Sequence, residues 1–262
     1  MAKRIVITSG KGGVGKTTVT ANLGIALAYF GKKVLLVDVD FGLNNLDVVM
    51  GVENKVAFDM IDVINGRCRP KQAIIECGAK KNLYVLPSIG VDNVDAISGQ
   101  NIKLILENLS QMFDYILIDC PAGLDLGFHR AVSCADQALV VATPSLPCLR
   151  DADKTISILG SYKLEYVGLI VNRVRGDLIL SDKMMYPKDI EQLLKIELKG
   201  VLPEEDSVFL TSGYKLPNRS DSSKAYKILA NNIVKGTRKI FDVTSKYSGF
   251  FGSIRGYLKR TI

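Results

Sequence analysis

Tryptophan is absent from this 262-residue sequence, histidine occurs only once, and Cys68, Cys77, Cys120, Cys134 and Cys148 are scattered with no CxxC pair. An odd, unclustered set of cysteines argues against zinc, disulfide-scaffold and iron–sulfur designs, and for a reducing compartment. With one histidine there is no Ser/His/Asp constellation to assemble, so His129 reads as a helix-surface or packing residue. No apolar run approaches the ~18 residues that a membrane-spanning helix needs. The opening MAKRIVITSGKGG leads directly into a strand, so neither a signal nor a transit peptide is expected. A content of 47% hydrophobic and 23% charged residues excludes collagenous, low-complexity and disordered chains.

The formal charge is +7, and it is unevenly placed. Residues 235–262 hold Lys235, Arg238, Lys239, Lys246, Arg255, Lys259 and Arg260 against Asp242 alone, which leaves +1 for everything before them. An anionic partner is therefore to be sought at the tail.

Through the rest of the chain, apolar β-rich runs alternate with amphipathic stretches. The pattern predicts strands over 3–8, 33–37, 83–86, 115–119, 137–143, 166–171 and 199–202, and helices over 17–30, 99–111, 149–162, 188–195 and 222–239. KVLLVD, YILIDC and QALVVAT are continuously apolar rather than alternating, as strands buried on both faces must be. The expected fold is α/β, a doubly wound, mostly parallel sheet of the P-loop NTPase type, over residues 1–240. A separate amphipathic tail helix is expected over 241–262, and residues 214–223 read as a loop.

Between the first strand and the first helix stands GKGGVGKT, with Gly10, Lys11, Gly12, Gly13, Val14, Gly15, Lys16 and Thr17 matching GxxxxGK[ST]. Such a loop turns its backbone N–H groups onto phosphate oxygens at a helix N-terminus. Lys16 can reach the outer phosphates, and the Thr17 hydroxyl can ligate Mg²⁺. Thr18 follows as a further nucleotide-contact candidate. Gly10, Gly12 and Gly15 also satisfy G-x-G-x-x-G, with Asp38 about where a ribose-binding acid belongs. That NAD reading gives Lys16 and Thr17 no task. It also leaves unexplained Asp119, a carboxylate at the end of YILIDC that suits Mg²⁺ bound beside a nucleoside triphosphate, ATP or GTP.

The second lysine of the loop, Lys11, makes the sequence resemble the deviant Walker A (ParA/MinD) family of ATPases. In that family the residue reaches across a dimer to the partner's nucleotide, which implies homodimerisation with ATP and dimer-dependent hydrolysis. The stretch from Asp38 to Asp47, DVDFGLNNLD, is similar to the D-x-D-x-G-L-x-N-L-D switch I of the division-site regulators in that family, not to the D-x-D-P-Q of its plasmid-segregating members. The resemblance implies that Asp40 orients or activates water, that Asn45 helps hold it, and that Asp38 and Asp47 belong to the switch. Asp119-Cys120-Pro121-Ala122-Gly123 resembles D-S-P-A-G of switch II, with Cys120 as a small buried side chain. Asn172 and Arg173 match the adenine-contacting segment, and Pro203 lies in the loop that closes over the base.

In the tail, Phe250, Phe251, Ile254, Tyr257 and Leu258 fall on one helical face, with Lys259 and Arg260 beside them. An apolar stripe with basic flanks is the pattern of an interfacial helix on anionic lipid. The resemblance then implies an ATPase that cycles on and off a membrane to position a division site, recruiting a MinC-like inhibitor and released by a MinE-like activator, with no nucleic acid as partner. It would reside partly on the inner face of the membrane and partly in solution. Ile-, Lys- and Asn-rich composition makes a chloroplast stroma as natural a setting as a bacterial cytoplasm. A DNA-segregation ATPase, an NAD oxidoreductase and an ATPase with a bridging iron–sulfur cluster stand as alternatives.

Overall fold

The computed structural model describes residues 1–41, 44–77, 82–89, 97–205 and 220–247. Strands with no polar face need cover on both sides, and the chain supplies it. The described strands are β1 (Lys3–Thr8), β2 (Val34–Asp38), β3 (Ile75–Glu76), β4 (Leu83–Leu86), β5 (Tyr115–Asp119), β6 (Gln137–Ala142), β7 (Tyr166–Val174) and β8 (Glu197–Pro203). They form one sheet in the order β3-β4-β2-β5-β1-β6-β7-β8, parallel except for the short edge strand β3. β2 and β5 are buried along their whole length.

The described α-helices are α1 (Lys16–Tyr29), α2 (Leu46–Val49), α3 (Met60–Ile64), α4 (Pro70–Ala73), α5 (Gly99–Leu109), α6 (Leu126–Ser133), α7 (Leu146–Leu159), α8 (Gly176–Ile179), α9 (Pro187–Leu194) and α10 (Asp221–Lys235). The carboxyl ends of the parallel strands β1, β2, β5, β6, β7 and β8 share one edge of the sheet, where open α/β sheets bind ligands.

Several boundaries depart from the sequence pattern for local reasons. α7 begins at Leu146, three residues before the expected 149, because Pro147 suits a first helical turn that has no use for its missing N–H. α10 stops at Lys235, not 239, because Gly236 takes the left-handed conformation at φ 69° and ends it. At its other end Ser220 caps the helix by accepting from the Ser223 N–H at 3.0 Å, so 221–223 are helical rather than loop. Residues 206–219 lie outside the described set. α6 was not expected; Asp125 caps it by accepting from the Gly127 N–H at 3.1 Å.

Residues 236–247 return along the β8 edge. Buried Asn232 donates to the carbonyls of Lys199 and Lys239, at 3.0 and 2.7 Å, and so fastens this segment to the sheet. Residues 241–247, grouped with the tail by composition, pack onto the domain. Val243 and Tyr247 are buried there because Gly176 has no side chain: a Cβ on it would stand 2.0 Å from the Val243 carbonyl oxygen. The apolar stripe from Phe250 to Leu258, with Lys259 and Arg260, lies outside the described residues.

Candidate nucleotide site

β1 ends at Thr8 and the loop that follows reaches α1 at Lys16. Two glycines make its course possible. A Cβ on Gly10 would stand 2.2 Å from the Asp151 carbonyl oxygen of α7, so only glycine lets the loop lie against that helix. Gly15 has φ 95°, and a Cβ there would meet Asn172 Nδ2 at 2.7 Å. The Ser9 hydroxyl donates to the Lys11 carbonyl at 2.8 Å, which steadies the outer part of the loop. Lys11, Gly12 and Gly13 are exposed, whereas Val14 and Lys16 are buried.

At the start of α1, the Thr17 hydroxyl donates to Asp119 Oδ2 at 2.6 Å, and Thr20 donates to Oδ1 of the same carboxylate at 3.1 Å. Asp119 is thereby fixed at the end of β5, beneath the loop. Burial drives its carboxyl up to about 6, although Thr17, Lys16 and Thr20 favour the charged form; Asp40 adds to the rise. A hydroxyl and a carboxylate oxygen in contact, with few other protein donors, are what Mg²⁺ favours when phosphate and water complete its shell. The donor set therefore fits that ion.

Asp38 is the register partner of Asp119 on the adjacent strand. Burial, then the neighbouring Asp119 charge, push its carboxyl up to about 7, against hydrogen bonds from the N–H groups of Asp40, Leu46 and Asn45. That carboxylate is committed to the chain's own backbone and is 1% exposed, so it offers nothing to a ribose. Asp40 is half-buried, and Asn45 is exposed at the N-terminus of α2, where its side chain makes no capping bond. Asp47 is buried in α2.

Across the loop, Asn172 Nδ2 donates to the Val14 carbonyl at 2.8 Å. Gly15, Thr18, Asn172, Arg173, Pro203 and Glu204 line one cleft beside it. The register slips between Val171 and Val174, which carries β7 on beyond its expected end at 171 and lets Arg173 take φ 56°. The Glu204 N–H donates to the Val174 carbonyl at 3.1 Å, and Glu205 accepts from the Ser222 N–H at 2.8 Å.

The structure thus gathers Lys16, Thr17 and Asp40 around Asp119 at the start of α1, and Thr18, Asn172, Arg173 and Pro203 around the cleft beside the loop. Cys120 is buried, its Sγ accepting from Thr8 at 3.5 Å, and burial raises its thiol to about 12. His129 on α6 hydrogen-bonds and stacks on Tyr162. Sequence reasoning missed Thr20, although its place three residues after Thr17 on a helix puts it on the same face. It also missed the contact of Gly10 with α7, which no spacing announces.

Residues 2–163 match the family model described as an AAA domain. The septum site-determining protein MinD of Thermotoga maritima is 42% identical over 239 residues, spanning 89% of this chain and 88% of the relative. A solved MinC:MinD cell division protein complex from Aquifex aeolicus superposes with a TM-score of 0.82 at 39% identity, covering 89% of this chain and 96% of that one. The MinD of Pyrococcus horikoshii, solved complexed with Mg-ADP, gives 0.79 at 34% identity, covering 90% and 97%.

Proposed function

The chain belongs to the MinD family of septum site-determining ATPases, and on that premise we propose that it hydrolyses ATP, with Mg²⁺, while cycling on a membrane to place a division site. The observation that carries the reading is the contact of Thr17 with Asp119 directly beneath a phosphate loop that also holds buried Lys16 and exposed Lys11. Loop N–H groups from Gly12 to Thr17 would cradle the phosphates, with the Lys16 ammonium on the outer ones. Thr17 and Asp119 would hold Mg²⁺, whose charge offsets that of the phosphate oxygens when bound. Asp40, assisted by Asn45, would orient the water whose oxygen attacks the terminal phosphorus as the bond to the bridging oxygen breaks. Asn172, Arg173 and Pro203 would face the base, with Thr18 beside them.

Lys11 is exposed in the single chain. Supplied by a second copy, it would complete the electrostatic clamp on the transferred phosphoryl group and make hydrolysis depend on a homodimer. No described helix is long and apolar enough to cross a membrane. Attachment would fall to the C-terminal stripe of Phe250, Phe251, Ile254, Tyr257 and Leu258 with Lys259 and Arg260. One tail of this size binds marginally, and two on a dimer gain avidity of ~10²–10⁴. The Aquifex complex supports a MinC-like inhibitor as partner, and the family resemblance supports a MinE-like activator. The setting would be the inner face of a bacterial or plastid membrane.

Co-sedimentation with anionic liposomes tests the reading, with the intact chain compared against one ending at Tyr247. The intact chain is expected to sediment with ATP and Mg²⁺ but not with ADP, and the shortened one with neither. Equal binding in both nucleotide states would remove the switch. Binding to DNA with none to liposomes would favour a segregation ATPase.

A further inference from the structure

Asp38 is buried to 1% exposure at the end of β2 and has no part in the phosphate loop. Its two oxygens divide their work. Oδ1 accepts from the Asp40 N–H at 2.9 Å, while Oδ2 accepts from the N–H groups of Asn45 and Leu46 at 3.2 and 3.1 Å. One side chain therefore ties together both ends of the stretch that carries Asp40 and Asn45. The two carboxyl oxygens offer lone pairs enough to accept all three N–H groups at once. β2 and β5 run in register, so Asp38 also sits beside Asp119 in the sheet. The frame that holds the switch stretch is thus the same pair of strands that positions Asp119.

We propose that Asp38 is a positioning residue for hydrolysis, its side chain fixing the main chain at Asp40, Asn45 and Leu46 so that Asp40 and Asn45 stand where the attacking water needs them. This rests on the reading of Asp40 as the group that orients that water. Asp38 itself would touch neither nucleotide nor water. Its loss should then lower turnover and leave nucleotide affinity almost intact, since displacements near 1 Å at a reacting centre cost on the order of 10²-fold. Asparagine has the size of aspartate but only one acceptor oxygen, and its NH₂ would confront an N–H. Asp38→Asn thus releases one end of the stretch.

The test measures single-turnover phosphate release and nucleotide affinity in the full chain for wild type, Asp38→Asn, Asp40→Asn and the double variant. Asp38→Asn is expected to lose at least about tenfold in turnover, with ATP affinity within about threefold of wild type. The double variant should be no slower than Asp40→Asn, because residues acting as one unit do not add. Hydrogen exchange should quicken at the amides of Asn45 and Leu46. Should Asp38→Asn fail to fold, Asp38→Ser keeps a small acceptor and serves in its place. Wild-type turnover in Asp38→Asn, a loss in affinity in place of turnover, or multiplicative losses in the double variant would each overturn the proposal. An unchanged Asp40→Asn would overturn the role of Asp40 and this inference with it. A slow Asp40→Asn beside a normal Asp38→Asn would overturn this inference alone.

Discussion

At the end proposed for the phosphates, side chains meet side chains: Thr17 and Thr20 from α1 close on Asp119 from β5, in the middle of the sheet. At the end proposed for the base, the Asn172 side chain reaches the Val14 carbonyl, the Glu204 N–H bonds the Val174 carbonyl, and the Glu205 carboxylate accepts from the Ser222 N–H. That end is built on the edge strand β8 and its inner neighbour β7, where the register slips. β1 and β5 are paired on both sides and give a low-dielectric floor for charge. β8 is the sheet's edge, paired on one side only, and its partner β7 departs from regular register beside it. Chemistry should therefore fail abruptly when the first end is damaged, whereas affinity should decline gradually when the second is.

The largest break is expected from Lys16→Ala. The ammonium is buried beside Asp119, whose charge it favours, and it is the cation proposed to meet the outer phosphates. Its removal should lower turnover by about 10²–10³-fold, the scale for losing one preorganised charge stabiliser. A phosphate-release assay at saturating ATP checks this. Turnover within tenfold of wild type would break the comparison, because the phosphate end would then tolerate the damage expected only of the base end.

A smaller effect, and a different one, is expected from Asn172→Ala. The Val14 carbonyl would lose its partner in a buried place, a cost on the order of 1–3 kcal/mol, and the cleft would lose a lining residue. Nucleotide Kd should rise by roughly tenfold, which corresponds to about 1.4 kcal/mol, while turnover at saturation should stay within about threefold. Titration with a fluorescent nucleotide separates the two quantities. A fall in turnover without a change in Kd would show that the base end also positions the reacting groups.

The two ends also differ in how far the sequence reveals them. Gly10 to Thr17 and Asp119 are legible because their chemistry demands particular residues at fixed spacing, and the apolar runs around them place β1 and β5 at their observed limits. Asn172, Arg173 and Pro203 emerge only through family resemblance, since two distant strands bring them together and neither carries a motif. β7 runs past its expected end because a bulge lets the strand continue beyond the polar pair, which periodicity does not register. The three bonds to Asp38 were equally hidden, because backbone N–H groups have no sequence signature. The return of 241–247 onto the domain was hidden too, because it depends on Gly176, far away in the chain and bare of a side chain.

The outermost brace of the base end gives the smallest effect. Glu205 is tied to the Ser222 N–H, and the neighbouring Asp221 accepts from Lys246 at 2.9 Å and from Lys224 at 3.0 Å. Burial alone would raise the Asp221 carboxyl, but the bonds from Lys246 and Lys224 outweigh it and hold it below the usual carboxylate range. A carboxyl so lowered adds stability above its unfolded value, and that contribution is lost as pH falls through its folded value. Lys246→Ala should therefore cost about 0.5 kcal/mol near neutral pH, as a partly exposed ion pair does. The difference from wild type should shrink towards zero in acid, when Asp221 is protonated in both proteins. Nucleotide Kd should stay within about twofold, well short of the tenfold step that about 1.4 kcal/mol makes, because Glu205 and Ser222 keep their bond. Urea unfolding at neutral and acid pH, beside a nucleotide titration, reads all three. A Kd shift as large as that of Asn172→Ala would mean that the base end extends to the root of the tail.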